Sequence, residues 1–487
     1  MNLLPNQGLK HTIRKVLLIS PQGKITITQE GSRERKLAVP PLGLAYLAAS
    51  IRDAGFDVEI LDCLIENYYF EQKNGNEVVY GLEEKDIYSR IRINNPDLVG
   101  VSCLFSNREK EALNICAIAK MAIPGIHVVL GGQHPSGMPD LILNPNVDYI
   151  LRGESDQSFI SLLSAINNKM DLSKIDGIVV KTHESVFIGP KTQFPDVKIL
   201  PYPAWDLLNL ERYWNIGMAD YEINTKQQKK FIIMITSRGC PHHCYFCTST
   251  MMSGKKYRER DISDVLTEIR MYKEKYGVDE IHFWDDNFFV NKRKIKILLA
   301  RLIEEFPDIQ FQTPSGSEIN ALDDEVIELL AKAGFKKIFL AVESLDDSIQ
   351  KNLIDKKVKL SRIPEIIKKF HECGVIVEGS FMVGFPGESK EQIDMTFENV
   401  KKYDFDRISI SIVNPLPGTS LYNQCKQDNL FYSDFEVHNI RWSNENIIIP
   451  GIERGYLARM RRKVWLEYME NKIDVASYET EKVKSFK

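Results

Sequence analysis

The sequence lacks the features that would place this chain in a membrane or send it out of the cell. No apolar run approaches the ~20 residues that are needed to span a bilayer. The N-terminus also lacks an apolar core of roughly 7 to 15 residues, the mark of a signal peptide. We therefore expect a cytoplasmic protein with no stable membrane insertion.

A strong excess of charge is missing as well. The formal net charge is -4, which gives no general reason to bind nucleic acid. Internal repeats and low-complexity tracts are also absent. With 487 residues, 43% of them hydrophobic and 27% charged, the chain has an ordinary globular composition. It is longer than the ~250 to 300 residues at which single cores stop growing, so we expect two or three domains.

The first third of the chain alternates short β-branched runs with helical stretches. This alternation predicts a parallel sheet with helices on both faces, a doubly wound, flavodoxin-like α/β fold over residues 13–181. In such folds ligands bind at the carboxyl ends of the strands, so we expect a ligand at the loops that follow them. The predicted strands are 15–20, 57–61, 97–102, 126–131 and 147–151, and the predicted helices are 43–54 and 108–121.

A second alternation follows a proline-punctuated linker at 182–229. Six strand-helix units in series predict an open (β/α)6 barrel over residues 230–433 rather than a closed eight-stranded one. The remainder, 434–487, is predicted as a small C-terminal segment with one amphipathic helix at 455–471 and a polar tail. The predicted barrel strands are 231–236, 280–284, 309–313, 337–342, 375–383 and 407–413.

Three cysteines follow the first barrel strand, Cys240, Cys244 and Cys247, in a Cys-x3-Cys-x2-Cys spacing. Thiolates are soft ligands, and three on one loop can bind three irons of a 4Fe-4S cube and leave the fourth iron open. Zinc is an alternative, with His242 or His243 as the fourth ligand. A redox Cys-x2-Cys pair would leave Cys240 unexplained. We interpret the loop as a cluster-binding loop.

The cysteine spacing, with Phe246 before the third cysteine, resembles that of the radical S-adenosylmethionine (SAM) enzymes, and the resemblance extends over about residues 231–422. It implies that SAM binds the open iron and is cleaved by one electron to a 5'-deoxyadenosyl radical. An electron donor such as flavodoxin or ferredoxin is implied with it.

Further residues at barrel strand ends match the same family. Asp285 and Asp286 stand where many members carry a Gly-Gly-Glu run that binds the methionine amino group, although one of them could instead cap the following helix. The later strand ends are implied to contact ribose, methionine and adenine, and their serines and glutamates could instead be turn or capping residues. The implied contacts are Ser315, Glu318, Glu343, Ser344, Gly384 and Pro386.

The N-terminal half resembles the cobalamin-binding domains that are fused to radical SAM domains. The usual Asp-x-His-x-x-Gly pattern is absent, since the second strand is followed by 62–66 without a histidine. The resemblance therefore implies cobalamin without a histidine lower ligand, with its tail beside paired glycines, where bulky residues such as a valine at Gly132 should block binding. His134 is expected to hydrogen-bond the cofactor or cap a helix. The alternative is a flavodoxin-like domain that binds no corrin. The implied contacts are Leu42, Gly43, Ser102, Leu104, Gly131, Gly132, Gln133, His134, Gly153 and Glu154.

Together these resemblances imply a cobalamin-dependent radical SAM enzyme with three cofactors, a 4Fe-4S cluster, SAM and cobalamin. Members of this class are most often methyltransferases that act on an unactivated carbon, or on phosphorus, of a small-molecule substrate. The alternatives are a cyclisation, ring contraction or other rearrangement without net methyl transfer, a radical SAM enzyme without cobalamin, and a non-enzymatic iron-sulfur sensor. No ordinary acid-base residue is demanded by this chemistry, so none is named.

Overall fold

A computed structural model describes residues 3–5, 8–9, 12–27, 33–182, 185–216, 229–354, 356, 358–470 and 472. Its chain divides into two compact units. The first comprises the described residues within 1–218 and 251–254, and the second those within 219–250 and 255–487. Among the described residues no helix is long and apolar enough to cross a bilayer. Part of the predicted linker, 217–228, and the predicted tail, 473–487, lie outside the described residues.

The first unit is built on a seven-stranded sheet in which five adjacent strands are parallel. The spatial order is β10-β9-β8-β7-β6-β1-β3, so the parallel strands, counted along the chain, run 2-1-3-4-5. This is the flavodoxin-like order, and it confirms the predicted doubly wound fold. The strands of the first unit as a whole are β1 (Lys15–Ser20), β2 (Gly23–Thr26), β3 (Asp57–Asp62), β4 (Glu71–Asn74), β5 (Glu77–Tyr80), β6 (Leu98–Ser102), β7 (His127–Gly131), β8 (Tyr149–Leu151), β9 (Ile178–Lys181) and β10 (Val186–Ile188).

Helices cover both faces of this sheet, and each face has its own apolar core. One core lies under α3 and α4, and the other under α1 and α6, as the buried residues of these helices show. The predicted helices 43–54 and 108–121 are confirmed to within one residue at each end. The helices are α1 (Leu42–Asp53), α2 (Cys63–Glu66), α3 (Glu84–Asn94), α4 (Glu109–Ala122), α5 (Gln133–Gly137), α6 (Asp156–Asn167) and α7 (Leu210–Ile216).

Two features of this unit were not predicted. The strands β9 and β10 add an antiparallel edge to the sheet, and β2, β5 and β4 form a separate three-stranded antiparallel sheet. The small sheet has little hydrophobic alternation to reveal it, because all four residues of β4 are exposed. It is held instead by the Tyr80 ring against Gly23 and by the buried ammonium of Lys24 between Glu77 and Glu111.

The second unit contains the six predicted barrel strands in two three-stranded parallel sheets. One has the order β11-β14-β15 and the other β16-β17-β18. Parallel bridges from Phe311 to Phe335 and from Ser317 to Leu340 connect them into one open arc. The predicted open (β/α)6 barrel is therefore confirmed. Its strands, with the short pair β12 and β13, are β11 (Phe231–Met234), β12 (Ser237–Arg238), β13 (Arg258–Glu259), β14 (Glu280–Phe283), β15 (Gln310–Gln312), β16 (Lys337–Glu343), β17 (Ile376–Val383) and β18 (Arg407–Ile412).

Helices follow the barrel strands in turn, and a C-terminal helix follows the last of them. The residues after β18 run back along its edge, where Ile412 donates a backbone hydrogen bond to the Trp442 carbonyl at 2.9 Å. This contact covers backbone groups that an open barrel would otherwise expose. The helices from residue 249 onward are α8 (Ser249–Ser253), α9 (Ile262–Tyr276), α10 (Lys292–Glu305), α11 (Asp324–Lys332), α12 (Asp347–Ile349), α13 (Ile363–Glu372), α14 (Lys390–Asn399), α15 (Ser420–Gln427) and α16 (Tyr456–Glu470), with a π-helix at Gln350–Ile354.

Candidate functional site

The cysteine loop lies at the carboxyl end of the first barrel strand, as predicted. Cys240 and Cys244 are half-buried and Cys247 is exposed, so the three thiols line a loop that a ligand can reach. A tight turn brings the last two together, because Cys247 donates a backbone hydrogen bond to the Cys244 carbonyl at 2.9 Å. The loop is tied to α15 by the backbone hydrogen bond from Leu421 to Tyr245 at 3.0 Å. Burial raises the pKa of Cys244 to about 12.

Asp285 and Asp286, which follow β14, have different surroundings. Asp285 is buried, and it accepts hydrogen bonds from the Thr236 backbone at 3.1 Å and from the hydroxyls of Thr236 and Ser237. Asp286 is exposed and accepts a hydrogen bond from the Gly239 backbone at 3.0 Å, one residue before Cys240. Neither carboxylate caps the next helix, since the side chain of Asn291 does so. Asp286 is thus the carboxylate that faces the solvent beside the cysteine loop.

Glu318 is held beside the same loop from the end of the third strand. Its Oε2 accepts a hydrogen bond from the Asn287 amide at 3.0 Å and lies 3.1 Å from His242 Nε2. The hydrogen bond to His242 lowers the pKa of Glu318. His242, which the sequence offered as a possible zinc ligand, is therefore a partner of Glu318. His243 is exposed.

Glu343, at the end of β16, has the left-handed backbone angle φ 68°. The register with β17 shifts between Ala341 and Glu343, so the strand ends in an irregularity. Residues with a side chain adopt this conformation at a cost of about 1 to 3 kcal/mol, and such strain is concentrated at functional sites. The Glu343 carboxylate lies 3.2 Å from the ammonium of Lys356, and both side chains are largely buried.

Lys356 is a residue that the sequence did not single out. Its positive charge lowers the pKa of Cys244, against the larger effect of burial, and also lowers the pKa of Glu318. The ammonium is therefore close enough to act on Cys244, Glu318 and Glu343 together. No sequence motif marks it, because it lies thirteen residues after Glu343 in an irregular segment.

The other predicted contacts in the barrel differ in burial and in their hydrogen-bond partners. Ser344 is buried, and its hydroxyl accepts a hydrogen bond from the Asp346 backbone at 3.2 Å, which is the turn role that the sequence left open. Ser315 is exposed. Gly384 has φ 91°, and its N–H donates to the carboxylate of Glu388 at 2.7 Å. Pro386 is buried in the same turn.

Aromatic rings connect this turn to the cysteine loop. The Phe385 ring centroid lies 6.0 Å from that of Phe246 and 6.4 Å from that of Tyr245. Phe246, which the sequence singled out before the third cysteine, therefore lies beside the turn after the fifth barrel strand. The two loops together form a mixed apolar and polar surface at the carboxyl end of the barrel.

In the first unit, β3 ends in a buried carboxylate, that of Asp62. Asp62 accepts hydrogen bonds from the Leu64 backbone at 3.1 Å and from the Tyr213 hydroxyl at 2.5 Å. Burial raises the pKa of Asp62 to about 6. The short helix α2 therefore begins here, with Leu64 at the position where the usual motif has a histidine. This segment offers no imidazole to a bound metal.

The paired glycines lie at the carboxyl end of β7, with Gly131 as its last residue and Gly132 directly after it. Gly132 has φ 110°, and an added Cβ would lie 2.7 Å from the Cys103 carbonyl oxygen. An added Cβ at Gly131 would meet nothing closer than the Leu151 carbonyl at 3.8 Å. The glycine at 132 is thus required by the fold itself, which corrects the expectation that a valine there would act by filling a cofactor site.

His134 is buried and pairs with Glu109, since His134 Nε2 lies 2.6 Å from a carboxylate oxygen of that residue. It does not cap α5, whose first turn has no side-chain cap. Its second ring nitrogen, Nδ1, is buried without a hydrogen-bond partner. Buried polar atoms are normally satisfied, so an unpartnered nitrogen at a strand end is compatible with a polar group of a ligand.

The remaining predicted contacts of this unit surround the same edge. Gly153 donates a backbone hydrogen bond to the Ser136 hydroxyl at 2.8 Å, and Glu154 donates one to the carbonyl of Met252, which belongs to the same unit. An added Cβ at Gly43 would meet nothing within 4 Å. Leu104 is 50% exposed. Leu42, Ser102 and Gln133 are half-buried.

Comparison with known proteins identifies both halves. The model of the radical SAM superfamily matches residues 234–412, and the model of the B12 binding domain matches residues 32–163. The chain is 28% identical to cytidylyl-2-hydroxyethylphosphonate methyltransferase of Streptomyces wedmorensis, over 91% of this chain and 87% of that one. It is 23% identical to the anaerobic magnesium-protoporphyrin IX monomethyl ester cyclase of a Synechocystis strain, over 90% and 82%.

The fold is shared with a solved radical SAM methyltransferase, TsrM of Kitasatospora setae, whose structure has cobalamin and a [4Fe-4S] cluster bound. The TM-score is 0.66 at 18% identity, over 86% of this chain and 78% of that one. Fold and sequence matches thus define an enzyme with a radical SAM barrel. The second unit contains a radical SAM domain, and the first contains a B12 binding domain. Its cofactors are a 4Fe-4S cluster, SAM and cobalamin.

The side chains of the cysteine loop fit the cluster. Three reachable thiols stand on one loop, and soft thiolates are the ligands that iron-sulfur clusters take. In the described part of the chain, no three His, Cys, Asp or Glu side chains are grouped as one metal ion would require. Cysteines that each bind a different iron of a cube need no such grouping. The edge of the first unit likewise fits a large cofactor, with open space at Gly43 and an unpartnered nitrogen on His134.

Proposed function

We propose that this enzyme transfers a methyl group to an unactivated carbon, or to phosphorus, of a small-molecule substrate. The observation that carries the proposal is the presence of both domains in one chain that aligns over 91% of its length with a methyltransferase. When bound, the cluster and SAM supply a 5'-deoxyadenosyl radical that takes a hydrogen atom from substrate, and cobalamin supplies the methyl group. The residues of the chain bind, orient and shield these groups.

In the barrel, we assign the cluster to Cys240, Cys244 and Cys247. Asp286 is the better acceptor for the methionine amino group, because it is exposed beside the loop while the oxygens of Asp285 are engaged by Thr236 and Ser237. Phe246, Ser315, Glu318, Glu343, Ser344, Gly384 and Pro386 remain the proposed contacts of SAM.

In the first unit, we assign cobalamin to the carboxyl edge of the parallel sheet. The absence of an imidazole after β3 leaves Leu64 and the buried pair of Asp62 and Tyr213 there, so we propose that no protein histidine ligates the cobalt. The proposed contacts are Leu42, Gly43, Ser102, Leu104, Gly131, Gly132, Gln133, His134, Gly153 and Glu154.

The proposal can be tested before the substrate is known. The reduced, fully loaded enzyme is incubated anaerobically with SAM that carries a deuterated methyl group. We expect label to appear on the bound cobalamin together with S-adenosylhomocysteine, and 5'-deoxyadenosine to form as a second product. Formation of 5'-deoxyadenosine without any transfer of label to cobalamin would count against methyl transfer. The variant with all three loop cysteines changed to alanine serves as the control for non-enzymatic methylation.

Rearrangement without net methyl transfer is the second candidate. It is favoured by the 23% identity to a cyclase over 82% of that protein, which is nearly the same coverage as for the methyltransferase. A substrate that is converted without gain of the deuterated methyl group would establish it. The assay with deuterated SAM, repeated in the presence of a substrate, therefore separates the two reactions.

We further propose that a flavodoxin or ferredoxin supplies the electrons and that the enzyme works in the cytoplasm. A cluster on three thiolates is sensitive to oxygen and fits a reducing compartment. The proposed electron donor is tested by adding purified, reduced flavodoxin and monitoring reduction of the cluster in its absorption spectrum. We propose no nucleic-acid partner, since the net charge of -4 gives no general reason to expect one.

A further inference from the structure

The backbone around Glu343 is held by two side chains of one later segment. Lys356 donates a hydrogen bond to the Ala341 carbonyl at 2.9 Å, and Gln350 donates hydrogen bonds to the carbonyls of Val342 at 2.5 Å and Ser344 at 2.7 Å. Gln350 is 2% exposed, so this contact is shielded from water. The carbonyls on either side of Glu343 therefore both accept hydrogen bonds from the buried side chain of Gln350.

The same segment also controls the Glu343 side chain. The Lys356 ammonium bonds both the Ala341 carbonyl and the Glu343 carboxylate, which fixes the carboxylate relative to the strand end. The side chains of Lys356 and Glu343 are 11% and 14% exposed, so the pair is only weakly screened by solvent. A left-handed conformation persists only where its surroundings enforce it, and these contacts supply the enforcement.

We propose that Lys356 is a positioning residue that holds Glu343 in its left-handed conformation toward the cofactor site and adds a positive charge beside the cysteine loop. Gln350 supports it by bonding the backbone on both sides. The inference rests on the proposed function, because Glu343 is there a contact of SAM. Lys356, which lies outside the motifs of the sequence, would thus set both the geometry and the local charge of the proposed SAM site.

Two consequences separate this role from a merely structural one. Loss of the ammonium should weaken SAM binding by at least about tenfold, the scale of a charged hydrogen bond. Because a nearby positive charge favours the reduced, more negative cluster, its loss should also move the reduction potential of the cluster downward. A residue that only stabilised the fold would change neither quantity in a protein that retains its iron and its melting temperature.

The experiment compares Lys356→Met, Lys356→Arg and Glu343→Gln in the full chain, with Lys351→Met as a matched control, since Lys351 is exposed in the same segment. Iron content, melting temperature, anaerobic SAM affinity and cluster potential are measured for each. We expect Lys356→Met to keep its iron, bind SAM at least about tenfold more weakly and have a lower potential, and Lys356→Arg to recover most of the affinity.

The double variant decides whether Lys356 acts through Glu343. With Glu343→Gln already present, Lys356→Met should weaken SAM binding by less than about twofold, because the two changes remove one shared interaction. Equal effects of Lys356→Met with and without Glu343→Gln, or an unchanged potential, would overturn the inference. If Lys356→Met loses iron or melts early, Lys356→Arg alone must match wild type for the inference to stand. Failure of the wild-type protein to bind SAM at all would instead overturn the proposed function.

Discussion

Among single residues, Glu343 and Glu388 combine an unfavourable state with a position at the carboxyl end of the barrel. Glu343 bears backbone strain at φ 68°. Glu388 is a buried carboxylate whose Oε2 accepts hydrogen bonds from the Gly384 and Phe385 backbones, while its Oε1 has no partner. Both cost stability, and both shape loops that we assign to SAM. Each therefore gives a prediction that stability measurements can check.

For Glu343 the strain can be isolated with a matched pair of variants. Glu343→Gly and Glu343→Ala both remove the carboxylate, but only glycine adopts φ 68° freely. We expect the glycine variant to be more stable by about 1 kcal/mol and to melt at a higher temperature. Differential scanning calorimetry at one protein concentration checks this. An alanine variant as stable as the glycine variant would show that the left-handed conformation carries no cost.

For Glu388 burial raises the pKa to about 7, well above the usual value for glutamate. Between the unfolded pKa and about 7 the folded protein holds a proton that the unfolded chain releases. Its contribution to stability is therefore complete below the unfolded pKa and is lost as the pH rises through the folded pKa. Glu388→Gln lacks this loss, so its melting temperature minus that of wild type should increase from pH 5 to pH 8. A difference that is constant across this range would contradict the assignment.

Among the structural elements, the strand ends of the first unit show why adjacent residues of one motif have separate roles. Gly131 ends β7 and Gly132 follows it, yet Gly132 adopts a positive φ against the Cys103 backbone and Gly131 has room for a methyl group. The tightness at Gly132 comes from the loop after β6, which lies next to β7 in the sheet. A substitution can therefore test either the fold or the ligand, depending on which glycine is changed.

We expect Gly132→Ala to lower the melting temperature of the protein, because its Cβ would lie 2.7 Å from the Cys103 carbonyl oxygen in a strained conformation. Gly131→Ala should fold normally, with its Cβ 3.8 Å from the Leu151 carbonyl, and bind cobalamin more weakly if the cofactor approaches this backbone. Circular dichroism and the absorbance of bound cobalamin measure the two effects. Wild-type cobalamin affinity in a folded Gly131→Ala protein would place the cofactor elsewhere on the edge.

The complete chain joins two compact units, each with its own core and its own proposed cofactor. The thiols that we assign to the cluster belong to the second unit, whereas the sheet edge that we assign to cobalamin belongs to the first. The two sets of ligands share no residue. Loss of one cofactor should therefore leave the binding residues of the other intact.

We expect the combined replacement of Cys240, Cys244 and Cys247 by alanine to abolish the iron-sulfur absorption and all SAM cleavage, since a site-differentiated cube needs three thiolates. Cobalamin binding should remain near the wild-type level. Cys373→Ala is the matched control, because Cys373 is a half-buried thiol at the end of α13, outside the loop. An iron-sulfur band of wild-type intensity in the triple variant would refute the cluster assignment.

The amino-acid sequence alone was sufficient for the architecture and for the position of the cysteine loop. Hydrophobic alternation and motif spacing are local properties, and they located all eleven strands that were predicted, including β1 and β18. The small sheet of β2, β5 and β4 was missed, because β4 is wholly exposed and because β2 pairs with β5, which lies far along the chain.

Only the tertiary structure distinguished residues that look alike in the sequence. Asp285 and Asp286 are adjacent carboxylates, yet Asp285 is buried and accepts hydrogen bonds from Thr236 and Ser237, whereas Asp286 is exposed. Nothing in the sequence distinguishes Lys356 from other lysines, but in the folded chain its ammonium lies 3.2 Å from the Glu343 carboxylate. Spacing along the chain determines which elements form, but burial and pairing arise from contacts between distant segments, and these contacts determine which side chain remains available for chemistry.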